Sequence, residues 1–341
     1  MKKLFFGILA MAALAACSTE EAIVTPKGEA IAFGNAFVDN SVRAIDPSYG
    51  ATNGTTTINL TSFQLWGAVT GTSGNPVAIF EDDKVNGSVA ANSVWTCEKT
   101  QYWVDKAKYN FAAVVNADTK TGSTKYDVTL GEDLLPATIK FSTPNNADVD
   151  LLYARSDNDI VGKLSGNDEV AFSFSHLLSK VKFTVNNSSN AAGYSYEIKN
   201  ITIHGPRTGV YNVNSTSTET KWEEFGETAT ITLSDVEMEA TTLTAESANE
   251  KLIIPSAVNV SFTVDIKCGN EVITTTNYTT STAVTVKAGF AYNFAINVAL
   301  GEMIQFTVAS NPTWENGNTA PEDSDNKTNV PLTTTVNNSN N

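Results

Sequence analysis

The chain has 341 residues, 37 acidic against 22 basic, and a formal charge of −15. So acidic a surface repels nucleic acid and anionic lipid, which excludes nucleic acid as a partner. The length permits two domains of ordinary size. Thr, Asn, Ser, Val and Ala dominate while Leu and Glu are sparse, which favours strands and polar loops over helices.

Lys2 and Lys3 are followed by an apolar run from Leu4 to Leu14. This is the pattern of a secretory signal, too short to span a bilayer comfortably. The leader, residues 1–16, ends in Leu14-Ala15-Ala16 before Cys17. Small residues before a cysteine resemble the lipobox of bacterial lipoproteins. That resemblance implies cleavage before Cys17, acylation of its thiol and amine, and attachment to the membrane by two or more acyl chains. Ser18-Thr19-Glu20-Glu21 resembles the acidic surface-export signal of Bacteroidetes lipoproteins.

A polar tether leads to the first strand, residues 30–38, where Ile31, Phe33 and Phe37 alternate with mostly small residues and define one buried face. The loop 40–54 carries Arg43, one of three arginines, among turn-favouring residues. Short alternating runs follow at Thr56–Leu60, Phe63–Val69, Tyr109–Asn116, Ala137–Phe141 and Leu151–Ala154. Such runs, with turn residues between them, predict a β-sandwich. The Asp-, Asn- and Gly-rich loop 156–169 marks a domain boundary. Val170 to Val185 then alternates twice, with Phe172 and Phe174 before His176 and with Val181, Phe183 and Val185 after it. Further runs reach Ala309, and residues 246–251 are short enough for one helical turn.

Catalytic and cofactor chemistry finds no pattern: there is no phosphate loop, zinc spacing or nucleophile elbow. His176 sits between apolar residues and reads as packed and hydrogen-bonded, and Asp148 and Asp150 as loop solvation. Asp157, Asp159, Gly162 and Asp168 echo a calcium loop loosely, but Val161 interrupts it and no helices flank it. Cys97 and Cys268 could pair in an oxidising compartment, but they lie far apart in the sequence and read rather as two buried free thiols. No cofactor or metal is expected.

Four elements together resemble the fimbrillin (Mfa-like) family, lipoprotein precursors of the type V pili of Bacteroidales. They are the Leu-Ala-Ala-Cys17 lipobox; the early strand followed by Val42-Arg43-Ala44; the central run from Phe172 to Val185 with His176 and Lys180; and a C-terminal Gly289, Tyr292 and Trp314 around alternating strands. The resemblance implies an all-β fold of two tandem transthyretin-like β-sandwich domains. The expected layout is a lipidated propeptide with a removable first strand at 17–43, sandwiches at 44–165 and 166–310, and a polar extension at 311–341. It implies an outer-membrane, cell-surface and fimbrial location. It also implies a structural, non-enzymatic role as a stalk or tip subunit, with an arginine-specific surface protease and other fimbrial subunits as partners.

On this reading the protease cuts between Arg43 and Ala44, and the strand bearing Ile31, Phe33 and Phe37 leaves with the lipid on Cys17. The open groove then accepts a neighbour's strand. Arg207 and Arg155 are weaker cleavage candidates. Val330, Leu332 and Val336 alternate on one face of a candidate donor strand; Ile304, Phe306 and Val308 are a second choice. The competing readings are a fimbrial anchor, which keeps its strand and lipid, and a glycan-binding lipoprotein using Trp66, Trp95, Trp103, Trp222 or Trp314.

Overall fold

A computed structural model describes residues 28–38, 52–53, 56–57, 62–71, 74–87, 95–116, 126–142, 150–156, 159–189, 192–216, 221–239, 242, 244–246, 250–311 and 327–336. Every regular element among them is a strand. Thr244–Glu246 and Lys251–Ile253, which border the stretch read as a helical turn, are strands paired to Ser179–Asn187.

The first sheet is built around the antiparallel pair Ser62–Thr70 and Lys108–Asn116. Val77–Asn86 lies on one side; Leu151–Arg155, Val170–His176 and the opening strand Phe33–Val38 follow on the other. Successive residues of a strand face opposite ways, and here both faces are apolar. Leu65, Phe111, Ala113 and Val115 enter a first core; Trp66, Ala68, Ala112 and Val114 enter another. That other core is covered by a four-stranded sheet of Tyr126–Leu130, Pro136–Ser142, Thr208–Asn212 and Trp222–Glu223.

A further core lies between two more sheets. One contains Ser179–Asn187, Ala291–Val298, Gln305–Asn311 and Lys327–Val330; the other contains Tyr194–Pro206, Ala257–Cys268, Glu271–Thr280 and Leu332–Val336. Phe183, Phe294, Phe306 and Phe262 fill it with mutual ring contacts.

The chain does not change sheets in the loop 156–169. Val170–His176 pairs with Leu151–Arg155 and Phe33–Val38, so it belongs to the first sheet. The crossing falls at Leu177 and Leu178, both buried in the core under the four-stranded sheet. The two halves also share that sheet, because Thr208–Asn212 zips onto Pro136–Ser142. A cut at 165/166 therefore separates strands that share backbone hydrogen bonds.

Candidate functional site

The opening segment is held from both sides. On one, Phe33–Val38 runs parallel to Val170–His176, and the Val170 N–H donates to the Ala32 carbonyl at 2.9 Å. On the other, the Ile31 N–H donates to Gln101 O at 2.8 Å and the Trp103 N–H to Glu29 O at 2.9 Å, with a further bridge between Phe33 and Trp95. Trp95 is continuous with Thr96–Cys97, the far edge of the same sheet. The sheet is thus closed on itself through residues 29–33. Removing them would expose backbone donors and acceptors on two strands at once.

Phe33 is 4% exposed, and its ring centroid lies 5.7 Å from Phe80, 6.0 Å from Phe111, 6.3 Å from Phe172 and 6.5 Å from Phe63. Ile31 is buried in the same core. A bulge between Gly34 and Ala36 then changes the phase, so that Ala36 pairs with Phe172, Phe37 with Ser173 and Val38 with Phe174. Phe172 and Phe174 are buried while Ser173 is exposed. The backbone register thus shifts by one residue beyond Gly34, a feature that strict alternation cannot signal.

Sequence reasoning missed Glu29. Its carboxylate accepts from the Gly166 N–H at 3.0 Å, the Asn167 N–H at 3.0 Å and the Asn167 side-chain amide at 3.1 Å. Those bonds, the Asn167 N–H first, hold the Glu29 carboxyl below the usual carboxylate range. Beside it, Gly28 passes so close to the Trp103 carbonyl that a Cβ there would collide with it. No periodicity marks either residue; only the paired loop reveals them.

The terminal segment packs on the core between the second pair of sheets. Lys327–Val330 pairs with Gln305–Asn311 in one sheet, and Leu332–Val336 pairs with Glu271–Thr280 in the facing sheet. Pro331 stands at the switch, its carbonyl accepting from the Ser281 N–H at 2.9 Å. Val330 is buried in the adjoining core and Leu332 packs against it. In this state the terminal strands cover one edge of each of the two sheets around the chain's own core. Phe306 and Val308 lie within that core, and Ile304 packs against it.

Cys17, Arg43, Ala44 and Trp314 lie outside the described residues, as do the side chains of Phe37 and Val336. Arg207 is exposed in the turn before Thr208–Asn212. Arg155 ends a strand and is paired with Asp133 at 2.9 Å. Trp66, Trp95, Trp103 and Trp222 are all buried, which removes four of the five tryptophans from any exposed glycan platform. Asp150 is no loop solvation: it is buried, and its Oδ2 lies 2.6 Å from His176 Nδ1. Cys97 and Cys268 are free thiols, but Cys97 is half-buried and Cys268 exposed. Asp159 is engaged by Lys108 and Asn110. The described residues contain no group of three potential metal ligands.

The chain matches known proteins in two places. A family profile described as fimbrillin-like matches residues 48–312, and one described as a prokaryotic membrane lipoprotein lipid attachment site matches residues 1–18. A crystal structure of a fimbrial protein from Bacteroides vulgatus superposes with TM-score 0.55 at 14% identity, covering 74% of this chain and 92% of that one. A putative cell adhesion protein from Bacteroides uniformis gives TM-score 0.45 at 17% identity, over 83% and 97%. The fimbrial anchor protein Mfa2 from Porphyromonas gingivalis gives 0.34 at 11%, over 77% and 95%. No curated protein matches by sequence. The first superposition supports the shared all-β fold; the attachment site and the family place the chain at the outer membrane and cell surface.

Proposed function

We propose, from the premise that this chain belongs to the fimbrillin-like family, that it is a stalk or tip subunit of a surface fimbria assembled by donor-strand exchange. It reaches the surface as a lipoprotein acylated on Cys17. An arginine-specific protease then cuts between Arg43 and Ala44. One observation carries the reading: the segment that closes the first sheet lies, in sequence, between the lipid cysteine and a loop arginine.

In the intact chain the opening strand is held by its covalent continuity. Burying Ile31 and Phe33 contributes about 2–3 kcal/mol each, an upper bound because the unfolded chain is partly collapsed. After the cut the strand is a separate peptide, so its retention becomes a bimolecular equilibrium, and its departure removes the lipid with it. The slot left behind has apolar walls and unpaired backbone groups on two sides, which suits an incoming strand.

The terminal strand has matching chemistry. Ile31-Ala32-Phe33 and Val330-Pro331-Leu332 share the order large, small or cyclic, large. Ala32 is used through its carbonyl, which a proline keeps. The donor strand of Val330, Leu332 and Val336 would leave its own core and fill the slot of the next subunit.

The docked terminal strands also favour a second reading, a fimbrial anchor that does not polymerise, since they cover one edge of each sheet around their own core. N-terminal sequencing of material sheared from cells separates the two. Polymers whose chains begin at Ala44 support exchange; monomers that keep acylated Cys17 support the anchor and overturn exchange.

A further inference from the structure

We infer that the end of the precursor around Gly28 rests on the lipid surface, through Val104, Val161 and Leu164. The inference depends on acylation of Cys17, proposed above, and not on strand exchange.

Gly28 lies eleven residues after Cys17, so a fully extended tether reaches about 40 Å at most. Two loops grip the chain at this point. Trp103 bonds to Glu29, and the Gly166–Asn167 turn holds the Glu29 carboxylate. The loops are also tied to each other, because the Lys106 N–H donates to Gly162 O and the Gly162 N–H to Ala107 O, at 2.9 and 2.8 Å.

On these loops Val104 is 54% exposed, Val161 51% and Leu164 49%. They cluster around the tether's point of entry, which lone surface apolar residues have no reason to do. Two of the nearby charge pairs cancel, Lys106 with Asp105 at 4.0 Å and Lys108 with Asp159 at 2.9 Å, while Glu29 keeps its negative charge and Lys163, Asp168 and Glu169 lie on the same loop. A zwitterionic interface carries no net charge, so the remaining acidic groups at this end do not oppose the approach.

The test uses the lipidated full chain in phosphatidylcholine vesicles, with nitroxide labels placed singly at 104, 161 and 164 and a control label at the exposed Ile273. The labels go into a C97S/C268S background, and oxygen and nickel-chelate accessibilities are read by power saturation. The three test labels are expected to shift toward oxygen access and away from the chelate relative to the control. Accessibilities equal to the control's in chains that float with the vesicles overturn the contact and leave lipidation standing. Shielding that depends on protein concentration rather than on lipid assigns the patch to a second copy and also overturns it. A chain that fails to float removes the anchor and the contact together.

Discussion

Phe33 stacks on Phe172, their ring centroids 6.3 Å apart and 13° from parallel, in the strand pair that joins the opening segment to the first sheet. The same ring meets Phe63, Phe80 and Phe111 edge-on. Phe33→Ala therefore deletes the hub of an aromatic cluster, and the closely packed walls have little freedom to collapse. The expected loss is about 3–5 kcal/mol, read by denaturant unfolding of the uncut chain. A loss below 1 kcal/mol would mean that the opening strand is dispensable to its core.

The register of an incoming donor can be stated in advance. A terminal strand entering without a bulge, with Leu332 in the place of Phe33, sets Thr333 beside Ala171, Thr335 beside Ser173 and Val336 beside Phe174. Ala171 and Ser173 are exposed, as are Thr333 and Thr335 in the docked terminal strand. Cysteines at 333 of one subunit and 171 of the next should form a disulfide in polymers of cut protein, while 333 with 173 should not. Polymers that link only through 333 and 173 would shift the register by two residues and keep the exchange. An absence of polymer would remove both.

Acid should loosen the Glu29 clamp. Its carboxyl is held low by the Asn167 and Gly166 N–H groups and the Asn167 amide. A lowered carboxyl stabilises the fold above the ordinary carboxylate value, and that contribution is lost as pH falls through the lowered value. Hydrogen exchange at the Ile31 and Trp103 amides should accelerate below pH 4.5, beyond the intrinsic pH dependence of exchange. Glu29→Gln should remove that extra acceleration. Identical acid profiles in the two proteins would detach the clamp from the carboxylate.

The strand content was legible where one face is buried and the other wet. Val170–His176 alternates buried and exposed along its whole length, and its pattern could be read directly. Val77–Asn86 was not, because Glu81, Asp82 and Asp83 interrupt it; Asp82 takes a positive φ of 58° at an irregularity in the pairing. Glu271–Thr280 was not legible either, since it lies near the sheet edge with a single buried side chain, Thr280, and reads as a polar loop. Ile31 and Phe33 could be picked out from their spacing. The bulge at Asn35, the Glu29 clamp and the second contact line along Trp95, Gln101 and Trp103 depend on chain crossings that have no local signature.

Asp150 and His176 lie where the chain leaves the first sheet, and the Leu177 N–H donates to Leu151 O beside them. Asp150 Oδ1 also accepts from the Leu151 N–H at 2.8 Å. Asp150→Ala removes both bonds from a buried place, with an expected cost of about 3–5 kcal/mol. Asp150→Asn keeps an acceptor for Leu151 and should cost less. Thermal unfolding of the two variants checks the order, and equal midpoints would assign the whole effect to the imidazole contact.

The core under the four-stranded sheet should fail in alkali. Tyr153 and Tyr211 pack against it, and burial pushes each hydroxyl up to about 12 from an ordinary 10.0. A raised acid means that the folded state keeps a proton the unfolded chain has released. Stability is thus complete below pH 10 and falls as pH rises toward 12. Phenylalanine at both positions removes the ionisable hydroxyls while keeping the rings that fill the core. Denaturant midpoints measured from pH 9 to pH 12 should drop in the parent chain and stay flatter in the double variant. Parallel slopes in the two would show that other groups carry the alkaline transition.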